Sequence, residues 1–151
     1  MRQPTFYFED FAIGHSIELG SVTVTASDIQ DFATRFDPQP FHVDPVAAAE
    51  SMFGGIIASG RHTCSMMMRL AVDGYLHQTA SLGSPGVDEV RWLKPVRAGD
   101  VLTVRSSVLD AVPSTSRPDR GVIYSLWEAF NQHGELVTTI KGRGMMLRRP
   151  S

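Results

Sequence analysis

Apolar and polar positions change their rhythm along the chain. "GSVTVTASDIQDF" opens with alternation, Val22 and Val24 against Thr23 and Thr25, which predicts a short strand. A helix start follows, with Ser27 as N-cap and Gln30 three positions on, the S-x-x-Q capping-box pattern. Ile29, Phe32 and Ala33 give this helix one apolar side. It is expected to end near Phe36, because Pro38 disfavours a helical conformation at Asp37. "DPVAAAESMFGG" predicts a second short helix, with Asp44 as cap, Pro45 at its first position and Gly54-Gly55 as its stop. "ASGRHTCSMMMRLAVDGYL" carries the longest helical pattern. Met67, Leu70, Ala71 and Tyr75 recur near the helical spacing, and Met66, Met68 and Val72 make the segment apolar on most sides, as in a buried helix.

After "GSPG" the period falls to two. "VDEVRWLKPV", "DVLTVRSSVLDAV" and "GVIYSLWEAFNQHGELVTTIKGRGMMLRR" are rich in β-branched and aromatic residues and read as strands. "NQHG" and "RAGD" supply tight turns between them, Gly134 fitting a positive φ. One strand, then helices, then strands predicts an α+β domain in which an antiparallel sheet covers one long helix. A chain of 151 residues is the size of one domain, 1–151, with enough length to bury a core of its own. No repeat or linker divides it.

Composition narrows the partners. Fourteen Lys and Arg against sixteen Asp and Glu give a formal net charge of −2, which offers nucleic acid and anionic membranes no general attraction. A local basic patch is conceivable at Arg143, Arg148 and Arg149. The single cysteine, Cys64, forms no internal disulfide and reads as a small core residue beside the methionine run. The start "MRQPTFYFEDF" lacks the pattern of a signal peptide, and no apolar run approaches the ~20 residues of a membrane span, so the expected compartment is the cytoplasm.

The chemistry concentrates in "FDPQPFHVD", Phe36 to Asp44. Pro38 and Pro40 each fix a φ and stiffen the loop that carries Asp37, Gln39 and His42. Asp and His together can orient a water and move a proton near neutral pH. The same spacing also fits an Asp that caps a turn and a His packed against Phe41, and the residues alone leave both readings open. Further along, "IIASGRHT" places Ser59-Gly60 at the start of the long helix. Ser59 is expected there as N-cap, and Gly60 allows a ligand close to the free N–H groups of the first turn. An N–H aimed at a thioester carbonyl makes an oxyanion hole. His62, one turn inside, is expected to be structural or at the rim. Arg61 is expected to be salt-bridged or exposed, the alternative being a contact to a carboxylate on the substrate. The histidines show no metal-ligand spacing, and no GxGxxG follows a strand, so no metal and no redox cofactor is expected.

At these residues the chain resembles the MaoC-like acyl dehydratases, the hot-dog-fold group that includes (R)-specific enoyl-CoA hydratases. The family's D-x-N-P-x-H loop is matched by Asp37, Gln39, Pro40 and His42, with Gln for Asn. Its small-or-His then Gly helix entry is matched by Ser59-Gly60, with Ser for the His common in hydratases. "WLKPVRAGDVL", "YFEDFAIGHSIELG" and "NQHGELV" are similar too, so the likeness spans nearly the whole chain. It implies a curved antiparallel sheet around one long central helix, a homodimer or higher homo-oligomer formed through sheet edges, and an acyl tunnel beside the helix. It implies that Asp37 and His42 activate water, that the Gly60 N–H holds the thioester oxygen, and that Gln39, Phe41, Ser59 and Arg61 surround the substrate. That substrate is a trans-2-enoyl-CoA, hydrated reversibly to a 3-hydroxyacyl-CoA of R configuration, with coenzyme A entering as part of the substrate.

Two other readings belong to the same fold. A hot-dog thioesterase usually carries a carboxylate on the long helix, whereas here Glu50 precedes that helix and Asp73 comes late in it. A non-catalytic acyl-CoA-binding subunit has little need of both Asp37 and His42.

Overall fold

The computed structural model describes residues 3–151. The opening of "MRQPTFYFEDF", Met1 and Arg2, lies outside the described residues. The strands are β1 (Ser16–Thr23), which precedes the helices, and β2 (Ser81–Gly83), β3 (Val87–Trp92), β4 (Val101–Pro113), β5 (Arg120–Phe130) and β6 (Leu136–Leu147), which follow them. They make one antiparallel sheet in the order β1-β4-β5-β6-β2, and β3 also pairs with β6. Both tight turns fall where the glycines predict, with φ of 89° at Gly99 and 75° at Gly134, values that favour glycine. β4 shows why these residues make a half-buried strand: Leu102, Val104, Ser106 and Val108 face inward, and the residues between them do not.

The helices are α1 (Ala26–Phe36), α2 (Pro40–Val43), α3 (Pro45–Glu50) and α4 (Gly60–Gly74). Met67 and Ala71 of α4 are wholly buried in one cluster with Leu102, Val104, Ile123 and Val137 of the sheet. A long helix held in a curved antiparallel sheet is the hot-dog architecture.

Three local expectations need correction. The cap of α1 is Thr25 and not Ser27: the Thr25 hydroxyl accepts the Asp28 N–H at 3.1 Å, which puts Ser27 inside the first turn. α3 stops at Glu50, well before Gly54, because the Ser51 hydroxyl donates to the Ala48 carbonyl and accepts the Phe53 N–H. α4 is not buried on all sides. Met68 is 46% exposed, and Arg69 and Asp73 pair on the outer surface. The basic patch dissolves as well, since Arg143 pairs with Asp88, Arg148 with Glu9 and Arg149 with Asp10. Among the described residues no helix is long and apolar enough to cross a membrane.

Candidate functional site

Asp37 is the C-cap that follows α1, and its backbone N–H closes that helix on the Ala33 carbonyl. Pro38 ends helical geometry, and the Gln39 N–H then turns back to the Asp37 carbonyl at 2.8 Å. Pro40 starts α2 at its first position, which brings His42 round to face Asp37. The two prolines therefore do more than stiffen a loop. One stops a helix and the other starts the next, and the Asp–His spacing spans the junction.

The carboxylate of Asp37 is held at both oxygens. Gln39 Nε2 donates to Oδ1 at 2.6 Å, and the Ser59 hydroxyl donates to Oδ2 at 2.8 Å. His42 Nε2 lies 3.3 Å from the same Oδ2. The bond from Gln39, then that from Ser59, lowers the Asp37 pKa below the ordinary carboxylate value; partial burial opposes this, and the His42 and Arg61 charges add to it. Asp37 is thus an anion at neutral pH. His42 is buried, and its Nδ1 is 2.7 Å from the Ile57 carbonyl. A carbonyl only accepts, so Nδ1 carries the proton, and in the neutral ring Nε2 is a free base facing Asp37.

Ser59 sits at the N-cap position of α4, yet its side chain makes no capping bond. That corrects the expected role: the fully buried hydroxyl serves Asp37 instead. The first bond that closes α4 runs from the Thr63 N–H to the Ser59 carbonyl, leaving the N–H groups before it, Gly60 among them, without an intrahelical acceptor. The Trp92 indole fills the space where a Cβ at Gly60 would lie.

A cavity of about 490 Å³ joins these groups, lined among others by Asp37, Gln39, His42, Ser59, Gly60 and Arg61. Phe41, expected in the same set, is not on its wall. Its ring packs edge-on against His42 at 4.5 Å and against Phe53, behind the site. Arg61 is exposed, with its guanidinium over the Trp92 ring at 5.9 Å. It also borders a second, mostly apolar cavity of about 430 Å³ between α4 and the sheet, which Cys64 and Met68 help to line. Cys64 is thus half-buried beside a cavity, and burial raises its thiol pKa. His62 is buried and stacked on Phe32 at 4.8 Å, away from both cavities. Glu50 and Asp73 are exposed and line neither cavity.

Trp92 and Thr138 also line the first cavity, and sequence reasoning missed both. Each lies in an ordinary strand pattern, where nothing separates a site residue from a core one. Their register pairing places them side by side on β3 and β6.

Comparison with known proteins gives the following. Residues 10–122 match the family model described as MaoC like domain. A crystal structure of a MaoC-like dehydratase from Rhodospirillum rubrum superposes with a TM-score of 0.89 at 41% identity, covering 97% of this chain and 99% of that one. An uncharacterized protein, YdeM of Bacillus subtilis, is 32% identical over 139 residues, covering 88% of this chain and 97% of its own. A 3-hydroxybutyryl-CoA dehydratase of Methylorubrum extorquens is 28% identical over 139 residues, covering 89% and 83%.

Proposed function

The chain belongs to the MaoC-like domain family, and we propose that it is an acyl-CoA hydratase/dehydratase adding water reversibly to a trans-2-enoyl-CoA. The observation that carries this reading is the Asp37–His42 pair: a carboxylate held ionised by two donors, 3.3 Å from a histidine nitrogen whose tautomer a carbonyl fixes. Two acceptors side by side suit one water that donates a hydrogen to each, which turns its oxygen lone pair outward into the cavity. In hydration that oxygen bonds to C3 of the enoyl group. The C2–C3 π electrons move into the thioester, and negative charge gathers on its oxygen against the Gly60 N–H. The Asp37–His42 pair takes the water's proton and passes one to C2, giving the 3-hydroxyacyl-CoA. Dehydration runs the same steps in reverse.

The acyl chain then runs past Arg61 into the apolar cavity beside α4, and the R product is the expected isomer. The 3-hydroxybutyryl-CoA dehydratase among the relatives supports this reaction class. The outer edge of β3 supports a homodimer, because among the described residues β3 pairs with β6 alone and leaves Val87, Trp92 and the following Leu93 about half exposed.

The test is the absorbance of the conjugated thioester across a panel of trans-2-enoyl-CoAs, with free thiol followed in parallel and the product offered to an (S)-specific 3-hydroxyacyl-CoA dehydrogenase. Absorbance loss without thiol release or oxidation by that enzyme is expected, and both Asp37→Asn and His42→Ala should abolish it. Thiol release would replace this reading with a thioesterase. Tight binding without turnover would replace it with an acyl-CoA-binding subunit.

A further inference from the structure

Two buried side-chain atoms have no hydrogen-bond partner among the described residues: His62 Nδ1, and Thr138 Oγ1. Only Thr138 lines the cavity that holds Asp37, His42 and Gly60. Its side chain is 0% exposed. A buried hydroxyl without a partner is destabilising, and a fold that keeps one needs a reason for it. A bound ligand is such a reason, because the bond is then made only in the complex.

The rest of the cavity limits what that ligand group is. On the loop and helix side Asp37, Gln39, His42 and Ser59 are already bonded to one another or to the Ile57 carbonyl, and Arg61 and Thr63 of α4 line the cavity beside them. The side formed by the sheet and the chain after β3 carries Trp92, Leu93, Pro95 and Val96, and Lys94, whose ammonium is tied to Glu135. Thr138 is the one hydroxyl on that side. It sits beside Trp92 in the sheet, and Trp92 packs over Gly60. The Asp37–His42 pair thus lies on one wall, and on the other Thr138 carries a wholly buried hydroxyl without a partner, paired in the sheet with the residue whose indole packs over Gly60.

We propose that the Thr138 hydroxyl is a second oxyanion donor, bonding the substrate's thioester oxygen together with the Gly60 N–H. This rests on the thioester reading of the site but not on hydration itself. A lone N–H is a weak anchor for a developing enolate oxygen, and a second preorganised donor in a buried site matters most when charge gathers in the transition state.

The test uses Thr138→Val, which keeps the shape and removes the hydroxyl, and Thr138→Ser, which restores it. Three quantities are read: the thermal midpoint, kcat and KM on trans-2-enoyl-CoA, and the infrared stretch of ¹³C-carbonyl butyryl-CoA when bound. Butyryl-CoA is saturated, so it reports carbonyl polarisation without reacting. Expected are an unchanged or raised midpoint in Thr138→Val, a kcat lowered roughly 10²-fold with little change in KM, a smaller carbonyl shift, and recovery in Thr138→Ser. An unaltered kcat and carbonyl frequency would overturn the proposal and leave a structural hydroxyl. A raised KM with constant kcat would overturn it too, since that marks uniform binding. If the wild type polarises butyryl-CoA through Thr138 but hydrates no enoyl-CoA, this assignment stands and the hydratase reading falls. Failure of the wild type to bind either thioester overturns both.

Discussion

Asp37 owes its charge to its neighbours more than to its exposure. Gln39 and Ser59 each donate to one oxygen, and the Ser59 bond crosses from the α1–α2 junction to the start of α4. Removing the Ser59 hydroxyl withdraws a charge-assisted bond, of a kind typically worth about 1.5–3 kcal/mol. In Ser59→Ala the Asp37 pKa therefore rises, and the carboxylate protonates at a higher pH. The acid limb of the kcat/KM profile is expected to move to higher pH, so that activity is lost mainly on the acid side, where Asp37 takes up its proton earlier. A profile with an unmoved acid limb would show that Asp37 does not limit the reaction. Sequence carried the Asp37–His42 pair and Gly60 because proline and glycine mark those positions. It assigned Ser59 the cap role, since cap and ligand look identical in a Ser-Gly pair, and no spacing rule links residues twenty-two positions apart. Phe41 was legible as a neighbour of His42, but which wall its ring faces depends on Phe53.

At the scale of elements, α1 and α4 meet through Phe32 and His62, whose rings stack at 4.8 Å. Burial lowers the His62 pKa below its usual value, only partly opposed by Asp28. The folded protein thus holds this ring neutral, while the unfolded chain takes up its proton near pH 6.5. Between the two values the unfolded state binds more protons, so this contact's contribution is full above about pH 6.5 and is lost as pH falls. The same two helices carry Asp37 and Ser59 at their facing ends, so acidification should weaken both stability and the bond between those residues. His62→Phe is expected to flatten the fall of the denaturant midpoint between about pH 7 and pH 5. An equally steep fall in the variant would place the acid sensitivity elsewhere. The α1 start shows what a sequence hides at this scale: Thr25 and Ser27 are both good caps two residues apart, and only the bond to the Asp28 N–H decides between them. The α4 entry gives a second prediction. A methyl at Gly60 must push the Trp92 indole aside, so Gly60→Ala is expected to cost at least tenfold in kcat/KM, with a smaller loss in a Gly60→Ala, Trp92→Leu double variant. If the losses in Gly60→Ala and in Trp92→Leu alone simply add in the double variant, there is no steric coupling through the indole.

On the scale of the whole molecule, α4 runs between a polar cavity at its N-terminus and an apolar one along its flank, and Arg61 borders both. The main strands, the long helix and the turns were legible, because each depends on local period and on glycine or proline; α2, expected as a stiff loop, and the three-residue β2 were not, since neither is long enough to show a period. Sheet order was not, since β3 and β2 both join β6 and no local pattern states which strand is an edge. That edge bears on the site. Trp92 closes the space over Gly60 and is itself on β3, with nearly half its surface open, and Leu93 beside it lines the cavity that holds Asp37 and His42. Covering the β3 edge with a second copy would bury Val87, Trp92 and Leu93 and hold the indole in place. A Val87→Asp, Leu93→Asp variant puts two carboxylates into that contact, and buried charges without partners are costly. Light scattering should then report the mass of one chain where the wild type gives at least two. The circular dichroism spectrum should be retained, and kcat/KM should fall because Trp92 loses its support. A wild type that is itself monomeric would detach the site from any partner. A monomeric variant with undiminished activity would show that the indole is held by α4 alone.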